Sequence, residues 1–432
     1  MLPDKAIAQT VTALQGISPS SAHFDDETKD AVFGAIDDAD AAMWELNKTI
    51  HENPELPFEE YKARATLVKA LCKLGFTVTN PSSLPTAFVA TYSHGRGGRV
   101  FGFDAEYDAL PDVGHACGHN LIAVAAVAAA VGLKAALKAR NIPGTVKVVG
   151  SPAEEGGGGK VILLNEGVYE SLDACAMAHP EGGLGATYDG NAYVGGPASL
   201  ARSGFEVEFH GRGAHAGAAP WLGINALDAA VQGYTAVSML RQQLEPSMRV
   251  HGIIQGSEKW AQNIIPSYAK VAYSTRALTV KQTLELRDKA VACFAAAAEA
   301  TGCKHVVTAP ETEVYAELRN NRLLADAYAD LMGHDFKQVI ARSGMTTAST
   351  DFGNVTYALP AIHPGFVIVS DTVNHTAGFT AAAAKKDAHK RAMLVAKGLA
   401  MTGAKFLEDD RFAKEVKKEF ERFRREEGSD IV

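Results

Sequence analysis

The densest run of chemically able residues in the 432-residue chain is FDAEYDALPDVGHACGHN, residues 103–120. It sets Asp104, Glu106, Asp108, Asp112, His115, Cys117, His119 and Asn120 directly ahead of an Ala-rich apolar stretch. Cys117 and His119 flank Gly118, and glycine permits the tight bend that lets a thiolate and an imidazole face one ion. That donor pair favours zinc, with manganese or cobalt accommodated if carboxylates complete the site. A lone C-x-H is more often the polar start of a capped helix, so the cluster needs company.

Three further segments supply it. SPAEEGGGG (151–159) places Glu154 and Glu155 at the end of the strand-like run VKVVG. Neighbouring side chains diverge there, so one carboxylate can hold a metal while the other faces the substrate water. AMAHP ends a short apolar strand on His179, and VIVSDTVNHTAGF carries His375 in a loop after a buried strand. Sheets in α/β proteins present functional groups at the carboxyl ends of their strands. Taken together, the four segments read as a binuclear metal site.

The elements that must position these residues alternate. A long amphipathic helix from Thr28 to the residues before Pro54, a second over 62–75, and strands in TVTN, AFVATY and RVFGFDA precede the apolar helix at 121–139. GTVKVVGS is the next strand, and the alternation up to about residue 195 argues for an α/β layer structure. Residues 199–309 change rhythm to strand–helix–strand–strand–helix–strand, the order of a ferredoxin-like module inserted in a larger domain. The alternation resumes after it. The boundaries expected are 28–198 and 311–405 for the larger domain, 199–310 for the insert, and 406–432 for a charged, solvated amphipathic helix.

Composition excludes several classes. With 47% hydrophobic and 21% charged residues the chain is not disordered, and its length suffices for two or three domains. Forty-two Lys and Arg against 50 Asp and Glu give a net charge of −8 without a basic block, so no nucleic-acid partner is expected. Five sparse cysteines fit a reducing compartment. The start MLPDKAIAQT lacks signal-peptide character, and the run Leu121–Leu133 is short for a bilayer. The expectation is a cytoplasmic protein without a membrane partner.

HENPEL (51–56), DAEYDALP (104–111), HACGHN (115–120), PAEEGGGG (152–159), GRGAHAG (211–217), NIIPSYA (263–269) and NHTAGF (374–379) occur in the order of a known family. Over roughly residues 35–405 the chain resembles the dinuclear metallopeptidase, aminoacylase and amidohydrolase family of hippurate hydrolase and the indole-acetyl-amino-acid hydrolases. GHACGHNLIA and STDFGNV (349–355) are most similar to its aminoacyl-lysine and aminoacyl-arginine (Xaa-Arg) dipeptidase branch. The resemblance implies a catalytic domain with a mixed sheet flanked by helices, an inserted dimerisation or lid domain, and a homodimer. It implies two divalent ions, Zn²⁺ or Mn²⁺ with Co²⁺ as a substitute, on Cys117, His119, Glu155, His179 and His375.

Carried over position by position, Glu154 is the general base and Asp108 the carboxylate that orients the metal site. His215, from the partner subunit's insert, stabilises the oxyanion, and Asn263 and Arg276 grip the substrate's free carboxylate. Two departures stand out: Asn120 where many relatives have Asp, and Glu106 in place of a common Asp, which adds a methylene. The activity implied is hydrolysis of the amide bond of dipeptides or N-acyl-amino acids. A pathway enzyme running amide formation, or a non-catalytic binding relative, remains the alternative, although Glu154 and all five ligands are present. The acyl pocket is expected along residues 181–200 and 251–263, with Trp260 beside Lys259.

Overall fold

The computed structural model describes residues 25–183, 196–256, 260–337, 343–345 and 348–427. The chain's first residues, most of the 181–200 stretch and Lys259 lie outside them, and with them those parts of the sequence expectations. In chain order, α1 (Asp26–His51) and α2 (Tyr61–Lys73) precede β1 (Thr77–Thr79), β2 (Phe88–His94) and β3 (Arg99–Glu106). Then come α3 (His119–Ala139), β4 (Gly144–Ser151), α4 (Gly159–Asn165), β5 (Ala174–Ala176), β6 (His179–Gly183) and β7 (Gly196–Ala198). The insert holds β8 (Ala201–His210), α5 (Ala226–Met239), β9 (Arg249–Gln255), β10 (Tyr268–Ala277), α6 (Val280–Thr301) and β11 (Lys304–Thr308). The chain returns through β12 (Val314–Tyr315), α7 (Arg322–His334), β13 (Ser343–Met345), α8 (Phe352–Ala358), β14 (Ala361–Ile362) and β15 (Gly365–Val369). It closes with α9 (Ala377–Ala383), α10 (Lys386–Glu408) and α11 (Asp410–Glu427).

The larger sheet has the order β1-β2-β4-β3-β5-β14 and is mixed. β1, β2 and β4 pair antiparallel, whereas β4, β3, β5 and β14 run parallel. Beyond it β6 pairs parallel with β15. The parallel strands end on one side, and that shared end carries the candidate site. Behind the sheet α3 packs against α1 and α10. Its composition follows from that position. A Cβ on Gly132 would stand 2.8 Å from Ile36, 3.0 Å from Val32 and 3.1 Å from Ala400, so small residues let three helices close up. By length and composition α3 could cross a membrane, but most of its side chains are buried inside the fold.

In the insert the sheet order is β11-β8-β10-β9, all antiparallel. Alternate residues of β10 are buried, the period expected of a sheet covered on one face. The helices α5 and α6 cover it, with Phe205, Phe209, Tyr273 and Phe294 in the core between. This is the ferredoxin-like arrangement that the element order implied.

The charged C-terminal segment differs from the expectation of a solvated helix. Leu407 and Glu408 still belong to α10, and α11 starts at Asp410. Ala413 and Val416 of α11 are buried, and Phe423 packs edge-on against Tyr357. The Glu419 carboxylate accepts the N–H groups of Arg322 and Leu323 at 2.9 and 3.1 Å, so it caps α7 from a neighbouring helix. Mixed charge in the sequence hid a narrow apolar stripe.

Candidate metal centre

β3 delivers Glu106 and, two residues on, Asp108. The chain then turns through Gly118, whose φ of +78° is open to glycine, and a Cβ there would lie 2.6 Å from Pro180. His119 is thereby the first residue of α3, fully buried. After β4, Ala153 takes φ +59° with its N–H bonded to Glu60 Oε1 at 2.9 Å, which turns Glu154 and Glu155 into the same space. His179 opens β6, and His375 follows β15 with φ +67°, its N–H tied to Ala116 O at 2.8 Å. A non-glycine residue in the left-handed region carries strain of the kind that collects at functional sites.

These five side chains form two donor triads that share Cys117. One is Cys117, His119 and His179; the other is Cys117, Glu155 and His375. Cys117 Sγ lies 3.4 Å from His179 Nε2, and His375 Nε2 lies 3.5 Å from Glu155 Oε1. Asp108 organises both: Oδ1 is 3.1 Å from His119 Nδ1, and Oδ2 accepts the Glu155 N–H at 2.9 Å. An ionised carboxylate accepts only, so Nδ1 carries the proton and Nε2 is left facing the cluster. Three carboxylate oxygens stand around that Nε2: Glu106 Oε2 at 3.6 Å, Glu154 Oε2 at 3.8 Å and Glu155 Oε1 at 3.9 Å. Among the described residues, His119 Nε2 and Glu155 Oε1 are buried without a hydrogen-bond partner. Buried acceptors converging with nothing between them are what a cation relieves. The residues fit a pair of divalent ions, with thiolate, imidazole and carboxylate as the donor set.

Against the effect of burial, Asp108 and Cys117 hold His119 well above the usual imidazole range, so a cation must displace a proton there. Burial, with His363 and His119 alongside, pushes His179 down to about 3, so its imidazole is neutral and its lone pair free. Burial, reinforced by Glu155, drives the Cys117 thiol well up; a thiolate there needs a cation beside it. Burial raises Glu154 well above the carboxylate range, and Glu106 and Glu155 add to the effect. Glu154 is buried, with 7% of its surface exposed.

The insert places its residues at two ends. Arg276, near the end of β10, stands at the root beside the larger domain; it is half-buried and donates Nη1–H to Ser349 Oγ at 2.9 Å. Burial lowers it, neighbouring Arg202 adds to that and Glu154 opposes it, so the guanidinium shares the field of the cluster. Arg249, Arg276 and Arg202 are in register across three strands, a like-charge row that favours an anion. His215 and Asn263 are exposed at the opposite tip, linked by a bond from Ala216 N–H to Asn263 O at 3.0 Å. His215 Nδ1 accepts the N–H groups of Gly217 and Ala218, both at 3.1 Å, which leaves Nε2–H as an outward donor. Asn263 and Arg276 do not come together in one chain, since β10 alone separates them by about 26 Å.

Sequence reasoning missed several groups. Lys160 is fully buried, with Nζ 2.5 Å from Glu106 Oε1 and 2.6 Å from Asp351 Oδ1. His363 stacks on His179 with ring centroids 5.8 Å apart, and among the described residues neither of its ring nitrogens has a hydrogen-bond partner. Trp260, which the sequence did single out for the acyl pocket, is exposed and donates Nε1–H to Tyr268 O at 3.1 Å.

A mixed-sheet domain with a bridged two-triad centre at its strand ends, and an inserted ferredoxin-like module, define a metal-dependent amide hydrolase. Residues 201–302 match the model of the peptidase dimerisation domain. The chain is 42% identical over 400 residues to the Xaa-Arg dipeptidase of Mus musculus, covering 89% of this chain and 90% of that one. The Homo sapiens Xaa-Arg dipeptidase is 39% identical over 85% of this chain and 86% of its own. A dinuclear metal-binding peptidase of the M20 family from Bacillus subtilis superposes with a TM-score of 0.62 at 18% identity, over 86% of this chain and 99% of that one. The chain belongs to the M20 peptidase family.

Proposed function

We propose that the protein is a homodimeric dipeptidase that removes a C-terminal basic amino acid from a dipeptide with a free carboxylate, using two ions such as Zn²⁺ or Mn²⁺. The observation that carries this is the pair of triads bridged by Cys117, with Glu154 beside them. When bound, such ions supply Lewis-acid stabilisation of charge developing at the carbonyl and on the attacking water. Everything else falls to the chain. Glu154 takes the water's proton, and its high proton affinity suits it to hold that proton and then release it to the leaving amine. Asp108 keeps His119 in one tautomer, and its bond to the Glu155 N–H holds the backbone that presents both glutamates.

Arg276 takes the substrate carboxylate in two parallel charge-assisted bonds, a role supported by its half-buried position and its bond to Ser349. His215 and Asn263, at the far tip, reach a site only from the partner's insert, where the outward Nε2–H becomes a donor to the oxyanion. The preference for Lys or Arg rests on the Xaa-Arg dipeptidase relatives. The test is a panel of β-alanyl-lysine, its C-terminal amide, hippurate and p-aminobenzoyl-glutamate on metal-reconstituted protein. The free-acid dipeptide should be cleaved far faster than the amide, and Arg276→Ala should erase that difference. Equal rates for acid and amide on the unaltered protein would remove the clamp, and preference for hippurate would remove the dipeptidase assignment.

A further inference from the structure

We propose that Glu106 is an additional ligand of the metal centre, binding through Oε2 on the deep side of the cluster beside His119. The inference rests on the reading of the cluster as a metal centre. It adds a residue that stands outside the five-ligand set.

Glu106 is fully buried at the end of β3, and its two oxygens have different surroundings. Oε1 lies against Lys160 Nζ, which is itself held by Asp351 through both Nζ and the backbone N–H, at 2.6 and 2.9 Å. Oε2 has no hydrogen-bond partner among the described residues and stands 3.6 Å from His119 Nε2, which has none among them either. Zinc bonds of 2.0–2.3 Å set adjacent donors of a tetrahedral ion about 3.3–3.8 Å apart. Two pairs within the five-ligand set are spaced the same way, 3.4 Å for Cys117 with His179 and 3.5 Å for Glu155 with His375, and a third, His119 with Glu155, stands at 3.9 Å. Glu106, His119 and Glu154 form a third group of mutually close donors.

Charge points the same way. Lys160 is one ammonium between two fully buried carboxylates, so one negative charge is left over, and it faces the cluster. An ion at Oε2 cancels it. The extra methylene of Glu106 matters here: aspartate at this position would retract the carboxylate from both Lys160 and His119. Lys160 is therefore a positioning residue, gripping one oxygen so that the other is presented.

The experiment measures binding of Zn²⁺ and Co²⁺ by chelator competition, together with the visible absorption of the Co²⁺-loaded protein, for the unaltered chain, Glu106→Gln and Glu106→Asp. The unaltered protein should take up two ions. In both variants one of the two should weaken by roughly tenfold or more, and the Co²⁺ ligand-field bands should change while the thiolate-to-metal band from Cys117 persists. Glu106→Gln leaves Lys160 with one acid partner and is liable to misfold. Glu106→Asp keeps the charge, and it decides the matter alone if the glutamine variant does not fold. Unchanged affinities and spectra in a folded variant overturn the proposal and leave the five-ligand centre standing. Failure of the unaltered protein to bind any ion overturns both.

Discussion

Glu60 shows how single residues near the cluster trade stability for placement. Its Oε1 accepts the N–H of Ala153, just before the paired glutamates, and the N–H of Phe58, both at 2.9 Å. Burial, then the nearby Asp108, pushes its carboxyl up to about 7. A carboxyl raised from 4.5 to about 7 contributes stability that is complete below pH 4.5 and lost as the pH climbs towards 7. Glu60→Gln keeps the acceptor oxygen without the charge. Its advantage over the unaltered protein in urea unfolding should therefore widen from pH 5 to pH 8, and parallel pH profiles would contradict this account. The candidate ligands Cys117, His119, Glu155, His179 and His375, with Glu154, were legible in the sequence as short motifs matched by the family resemblance. Glu106 stood out only as a departure from that pattern, and Lys160 and Asp351 did not stand out. Their meaning comes from contacts across 54 and 191 residues of chain, numbers no local pattern contains.

At the scale of elements, alternation revealed the layers and the insert, since buried strands and amphipathic helices carry their own periods. The docking of α11 was hidden because two buried residues, Ala413 and Val416, suffice to seat it among many charges. Its tie to the fold is specific: Asn321 Nδ2 donates to Val416 O at 3.1 Å, and Glu419 caps α7. Arg99 binds the carbonyls of Phe406 and Leu407 at the end of α10 and pairs with Asp410 at the start of α11, fixing the corner between them. Glu419→Ala should cost about 1 kcal/mol of stability, the usual value of a lost cap, with activity per folded molecule unchanged. A denaturant midpoint identical to the unaltered protein would show that water replaces the carboxylate there. The two residues expected to clamp the substrate are separated at this same scale. Asn263 and Arg276 are thirteen positions apart in sequence, but the straight strand between them sends them to opposite ends of the insert.

For the whole molecule, the proposed roles of His215 and Asn263 require that separation to be bridged by a second copy of the chain. The insert exposes Val231, Tyr234 and Met239 on α5 and Ile253 on the edge strand β9, apolar surface suited to a second copy. If each site joins one chain's cluster to the other chain's tip, two inactive variants should rescue each other. Glu154→Gln lacks the base, and His215→Ala lacks the donor. After subunit exchange, half the dimers are mixed and each has one intact site of two, so activity should recover to about a quarter of the unaltered level. No recovery between proteins shown to exchange would place His215 outside the site.

The central claim is that a two-ion centre on Cys117, His119, Glu155, His179 and His375 performs amide hydrolysis. It is tested most directly by titrating chelator-stripped protein with Zn²⁺ or Mn²⁺ while following cleavage of a dipeptide ending in lysine or arginine. The account predicts no turnover in the stripped protein and activity that rises to a plateau at two equivalents per chain. Full activity in the metal-free protein would contradict it.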